Sequence, residues 1–477
     1  MKKQLLLLIL IPLINFSQVQ IGNDINGILP IEQLGRSVAL SSNGNILAIG
    51  ANANNGIANS VGIVKVYENI NGDWIQIGND IFGNTSELIG DIVKLSSNGN
   101  ILVIGGETNS GSGFVRIYEN INGDWVQQGN DITSTTNNDN FGLSFSLSSD
   151  ANIIAVGADS NNSNGSGSGL VRVFENTNGT WIQKGSDFNG ANSFEQLGRS
   201  VDVSSDGNIL AIGIPGESTN GNSSGQVKVY QYNSGTWNQI GQNINGTQIG
   251  DLLGVIVGLN SDGTILAIES ILDENGNALG GQVEVFEFVN NSWIQIGSAI
   301  NGLGVSLDIS SDGNIIAIGD DINPSSSSGL ARIYQNQAGV WTQLGQDIVG
   351  NNNSDQFGIS VSLSSDGSIV ASGAFTANTV NGIGTGYAAV YDLSAELSIQ
   401  EQTITEFTLY PNPTIDQFTI ELNNSEELQN VNIYNNLGQL VQSEKTTTVN
   451  TSQLASGLYM VEVETMKGKS TKKLIIK

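Results

Sequence analysis

One phrase recurs along this chain and limits what it can fold into. It reads SSNGNILAIG at 41, SSNGNILVIG at 96, SSDANIIAVG at 148 and SSDGNILAIG at 204, then NSDGTILAIE at 260, SSDGNIIAIG at 310 and SSDGSIVASG at 364. Its Asx falls at Asn43, Asn98, Asp150, Asp206, Asp262, Asp312 and Asp366, 50–56 residues apart. A repeat of that length is one supersecondary unit that cannot bury its apolar face alone, so the units must stack as a solenoid or a propeller.

Each repeat reads as four strands. GRSVALS alternates with period two, NILAIGA follows an Asx-Gly pair, and GIVKVYE ends at an aromatic. The fourth strand opens at Trp74, Trp125, Trp181, Trp237, Trp293 or Trp341, which together are all six tryptophans. The Asx-Gly pair predicts a tight primed hairpin between the first two strands. Asn-Gly turns such as NINGDW divide the last two. Short strands punctuated by turns, with no helical period between them, specify an all-β chain. Four strands per repeat fit a seven-bladed β-propeller better than a solenoid. An aromatic at one position of nearly every blade is expected to pack between blades.

The ends of this region do not match. QVQIGNDI at 18–25 echoes WIQIGNDI at 74–81, a phrase that elsewhere ends a repeat, while the seventh repeat stops at TGYAAVYDL with no tryptophan. Residues 18–25 are therefore expected to form the outermost strand of the seventh blade and close the ring, covering edges that an open ring would expose. The propeller is assigned to 18–394.

Residues 1–17 read as a secretory signal peptide: Lys2 and Lys3, an apolar core too short to span a bilayer, and a small residue before cleavage between Ser17 and Gln18. Residues 395–404 read as a linker. Residues 405–477 carry LYPNPTIDQFTIEL, VNIYNNLGQLV, LASGLYMVEV and KKLIIK, alternating segments that predict a small β-sandwich.

The repeats resemble the FG-GAP repeats of integrin α-chain-type propellers. The resemblance rests on a large apolar residue before glycine at Leu34-Gly35, Ile89-Gly90, Phe141-Gly142, Leu197-Gly198, Leu253-Gly254, Leu303-Gly304 and Phe357-Gly358. Some blades of that family hold calcium in an Asp-x-Asp-x-Asp-Gly loop. Here the loop is SSDGN, and one carboxylate cannot supply the six to eight oxygens calcium takes. No metal or cofactor is therefore expected there. The tail resembles the C-terminal sorting domain of type IX secretion cargo, through Tyr410-Pro411-Asn412-Pro413, Gly457-Leu458-Tyr459 and the lysine-flanked end with Lys473 and Lys477. That resemblance implies passage through the periplasm, recognition by the type IX machinery, and a secreted or outer-surface location.

Composition narrows the function. The chain has no Cys and no His, which removes disulfides, Ser-His-Asp triads and Cys/His zinc sites. A net charge of −28 disfavours nucleic acid and anionic membranes. The expectation is a non-catalytic binding or adhesion protein that does not span a membrane and meets a surface glycan or an extracellular protein. The alternatives are a matrix component without a specific ligand, or an enzyme acting on polysaccharide through paired carboxylates. The residue after each motif glycine opens the inner strand, so Arg36, Asp91 and Arg199 are the candidate ligand-binding residues at the channel mouth. The competing expectation pairs each arginine with a neighbouring carboxylate.

Overall fold

The computed structural model describes residues 18–52, 61–85, 87–108, 110–271, 281–302, 304–321, 328–398, 407–422, 428–435, 439–465 and 468–477. The leader and Ser17 lie outside them. Two compact bodies divide the chain, one ending at Glu396 and the other starting at Leu397. Both are all-β, and among the described residues the one helix is the short Ser394–Ser398, which straddles the start of the region read as linker.

Seven small antiparallel sheets make up the first body. Repeat one is typical: Ser37–Leu40, Ile46–Ala51, Ile63–Ile70 and Asp73–Gln76 pair in order, and the short Ile81–Phe82 returns to the third strand. The sheet of repeat seven holds Val361–Leu363, Ile369–Ala374 and Tyr387–Asp392. Its fourth member comes from the opposite end of the chain: Val19 pairs with Asp392, Gln20 with Tyr391 and Ile25 with Ala388. Backbone amides link the sheets in succession, from Ser42 to the Ser97 carbonyl, then to Ser149, Ser205, Ser261, Ser311 and Ser365, and from Ser365 back to Ser42.

The sequence phrases have physical roles. In QIGND the glutamine amide donates to the Asp four residues on, as Gln20 does to Asp24 (2.7 Å) and Gln76 to Asp80 (2.7 Å). That Asp takes the cation of the third strand: Lys65–Asp80, Arg116–Asp131, Arg172–Asp187 and Arg332–Asp347. Tryptophans join neighbouring sheets. The Trp74 indole donates to the Ile21 carbonyl (3.0 Å), Trp125 to Ile77 (3.2 Å) and Trp237 to Lys184 (2.9 Å). Gln18, which replaces tryptophan in the first phrase, donates its amide to the Gln346 carbonyl (2.8 Å) in the same way.

One turn differs from its sequence reading. The SSNGN hairpin closes from the Ser41 amide to the Ile46 carbonyl around four residues, and only Gly44 has positive φ. Asn43 shapes it by accepting from Ser41 Oγ (2.8 Å) and the Asn45 amide (3.0 Å), a side-chain-built turn rather than a primed one. The primed geometry lies between strands three and four, where Asn71 and Gly72 both have positive φ.

The second body has two sheets around a shared core that includes Phe407, Phe418, Val431, Tyr459 and Leu474. Within Tyr410-Pro411-Asn412-Pro413, the Asn412 amide donates to the Lys473 carbonyl (2.6 Å) and its oxygen accepts from the Ile475 amide (3.0 Å). Tyr410 is exposed, as are Lys473 and Lys477. Gly457 opens the strand Gly457–Thr465, Leu458 is exposed, and the buried Tyr459 donates to the Ala455 carbonyl (2.9 Å). Replacing Asn412 with Ala removes two bonds that tie the motif to the last strand. Thermal unfolding of the isolated tail body should show a loss of about 1–2 kcal/mol. An unchanged midpoint would mean the motif is not a structural splint.

Candidate functional site

Chain direction sorts the loops of the first body. Each first strand starts, and each second strand ends, at one end of the sheets, so the connections from strand two to three and from one repeat to the next gather there. The Asx-Gly and Asn-Gly hairpins occupy the opposite end. Arg36 and Arg199 precede their first strands at the loop-bearing end, and Asp91 lies within its strand, Glu87–Leu95, at the register shift between Ile89 and Ile92.

Arg36 Nε lies 3.2 Å from Asp91 Oδ1, and its guanidinium sits 5.1 Å from the Phe375 ring centroid. Asp91 also accepts from Asn52 Nδ2 (2.8 Å). The Arg199 guanidinium is 3.3 Å from Asp159 Oδ2 and half exposed, while the Asp159 carboxylate is buried and accepts from Asn140 Nδ2 (2.8 Å). The structure brings Arg36 and Asp91 together and sets Arg199 three repeats away, beside a different acid.

Sequence reading passed over a second recurring acid. Glu32, Glu87, Asp139, Glu195, Asp251 and Asp355 each stand three residues before a motif glycine. All but Glu87 are buried. They cap loop amides: Ile28 and Leu29 donate to Glu32 (2.6 and 2.9 Å), Ala191 to Glu195 (2.6 Å), Thr247 to Asp251 (3.1 Å) and Asn352 to Asp355 (2.8 Å). Burial pushes the Asp251 and Asp355 carboxyls above their ordinary range. Spacing from the glycine would have revealed this acid, but alternation of Asp with Glu hid it.

The capped loops hold strained backbone. Ile31 (φ 59°), Phe194 (φ 66°) and Ser354 (φ 67°) are left-handed, as are Gln33, Gln196 and Gln356 two residues on. A β-branched or bulky residue adopts that conformation only where its surroundings impose it. Apolar groups stand outward at this end, two of them, Ile31 and Phe194, on that left-handed backbone. Phe194 is 69 % exposed, Ile249 70 %, Val380 96 % and Ile383 75 %, with Ile28 and Ile31 beside the last pair. The Ile31 amide donates to the Ile383 carbonyl (2.9 Å), which joins those two loops.

The middle residues of the first strands include Lys94, Ser146, Asp202 and Asp308. They line a cavity of about 260 Å³ together with the seven linked serines. Asp202 accepts from the Leu259 amide (2.6 Å) and Asp308 from the Leu363 amide (2.7 Å), so each ties its strand to the next. Burial raises both carboxyls, and the positive charge of Lys94 opposes that rise. These acids serve as inter-sheet braces, and among the described residues no group of three or more His, Cys, Asp or Glu is placed to hold a metal.

Among curated proteins, a 75-residue stretch is 40 % identical to Ulvan lyase NLR42 of Nonlabens ulvanivorans, covering 15 % of this chain and 14 % of that enzyme. Two solved structures, from Bacteroides uniformis and Bacteroides fragilis, are each described as a candidate 6-phosphogluconolactonase. They align at 15 % and 13 % identity over 66 % and 68 % of this chain, and over 85 % and 86 % of theirs, both with a TM-score of 0.46. No helix among the described residues is long and apolar enough to cross a membrane. Residues 408–477 match the secretion system C-terminal sorting domain, and that tail marks the chain as cargo of the type IX secretion machinery, exported to the cell surface or beyond.

Proposed function

We propose that residues 18–394 form a closed seven-bladed propeller of the FG-GAP kind. In this reading it works outside the cell as a non-catalytic binding or adhesion module. Pairing of the first strand with the last repeat and the cyclic serine hydrogen bonds support the closed ring. Its ligand is a surface glycan or an extracellular protein met at the loop-bearing end. One observation carries this: large apolar side chains stand exposed there, Phe194 and Ile31 among them on left-handed backbone, on a chain of net charge −28. Loops on a rigid scaffold are where recognition concentrates. Arg36 and Arg199, held by acids, contribute orientation at the same end.

The purified chain should bind one class of glycan or surface protein on an array without releasing product. Replacing Phe194 and Ile249 with Ser should weaken that binding at least tenfold, a loss of about 1.4 kcal/mol or more. Exchanging Arg36 and Arg199 for Gln should weaken it less. Depolymerised glycan in the supernatant would instead establish an enzyme, and silence across the array would favour a matrix component.

A further inference from the structure

The third-strand position that carries the paired cation holds Lys65, Arg116, Arg172, Lys228, Glu284, Arg332 and Ala389 in repeats one to seven, so repeats five and seven lack the cation and only repeat five puts an acid there. In repeat one, Lys65 Nζ lies between Asp80 Oδ2 (2.8 Å) and the buried loop acid Glu32 (3.7 Å). In repeat two, Arg116 lies between Asp131 (2.7 Å) and Glu87 (3.0 Å). Repeat five keeps the loop acid, Asp251, but has Glu284 in place of the cation and Ala299 in place of the outer acid. A carboxylate thus faces a carboxylate where a positive charge belongs.

Two buried oxygens at this position lack donors. Asp251 is 2 % exposed and its Oδ1 has no hydrogen-bond partner; Gln282 is 7 % exposed and its Oε1 has none either. Gln282 precedes Glu284 by two on one strand, so both point to the same face. Ser270 is opposite Gln282 in register, and its hydroxyl bonds to Asp251.

We propose that repeat five binds a divalent cation, calcium in preference to magnesium, between Asp251, Gln282 and Glu284 with the Ser270 hydroxyl alongside. Every donor is a hard oxygen, and two carboxylates with two neutral oxygens supply four of the six to eight that calcium takes, water completing the shell. Magnesium requires a tighter octahedron, which a carboxylate from a loop and two side chains from a strand do not impose. The ion replaces in repeat five the cation that repeats one and two carry covalently.

The test is thermal unfolding and titration calorimetry of the purified chain, stripped with chelator and then supplied with calcium chloride, magnesium chloride or sodium chloride at equal ionic strength. Calcium should raise the midpoint by about 3 °C at millimolar concentration and bind at one site, with a smaller effect of magnesium. Glu284→Gln should abolish both signals. The double substitution Glu284→Lys with Ala299→Asp, which rebuilds the arrangement of repeat one, should raise the calcium-free midpoint and remove the calcium response. It decides the matter even where Glu284→Gln does not fold. No calcium-dependent shift in the parent chain overturns the proposal, as does a shift that the double substitution leaves intact.

Discussion

Deleting residues 18–26 should abolish cooperative unfolding of the first body. The segment supplies the edge strand of repeat seven, through Val19–Asp392, Gln20–Tyr391 and Ile25–Ala388. Ile21 and Ile25 pack with Leu34, Leu47 and Trp74, so the lost surface belongs to the core shared with repeat one. Two such side chains contribute about 1.5–3 kcal/mol each, and each lost backbone bond, such as Ile21 amide to Val390 carbonyl (2.8 Å), about 1 kcal/mol. The Trp74 indole also loses its partner, the Ile21 carbonyl. The sum exceeds about 5 kcal/mol, comparable to the whole stability of many domains. Circular dichroism should show a broad transition at low temperature, and a synthetic peptide of residues 18–27 added in trans should restore part of it. A midpoint within about 3 °C of the parent would mean that the first strand is an ornament on an already complete ring.

That segment was legible in the sequence because QVQIGNDI repeats the grammar of most other outer strands: a glutamine that reaches its Asp, then an isoleucine that turns back to the third strand. Strand order and the between-sheet place of the tryptophans were legible for the same reason, since each depends on local chemistry copied from repeat to repeat. Features set by contact between repeats were hidden. The loop acids vary between Asp and Glu, and the two in the duplicated phrase EQLGRS, Glu32 and Glu195, read from sequence as repeat drift rather than as caps for loop amides. Lys94, Asp202 and Asp308 come from the second, fourth and sixth repeats and line one cavity, which no linear spacing displays. The hairpin at SSNGN was misjudged because Asx-Gly suits both a primed turn and the longer loop that Ser41 and Asn43 build. Arg36, Asp91 and Arg199 could be placed at one end from the sequence, but the identity of each partner could not, because Asp159 is 40 residues from Arg199.

The second large effect concerns Glu269. Six repeats end this segment of the second strand in Gly or, in repeat seven, the equivalent Gly373, because the next repeat's backbone comes too close for a side chain. A Cβ at Gly213 would lie 2.0 Å from the Gly254 carbonyl oxygen. Repeat six enters by a shorter route, with two residues between Asn301 and Gly304 where eight separate Asn245 from Gly254. Glu269 occupies the vacated space. It is 0 % exposed, and neither carboxyl oxygen has a hydrogen-bond partner. Burial raises its carboxyl well above the ordinary range; proximity to the Gly304 backbone lowers it only in part, and the negative Asp320 adds to the rise. The folded chain therefore keeps this proton at pH values where the unfolded chain has released it. Above the unfolded value the native state binds more protons, so stability falls as pH rises until the folded value is passed, by up to ~1.4 kcal/mol for each pH unit in that window. Glu269→Gln fills the same volume without the titration. Denaturant melts of both chains from pH 5 to 8 should converge at the acid end and separate progressively above it, the variant becoming the more stable. Asp251, Glu284, Asp321 and Asp355 are also raised by burial and tilt both curves alike, so the difference between the chains isolates Glu269. Parallel curves would show that this carboxyl is ionised in the fold and neutralised by a group not yet identified.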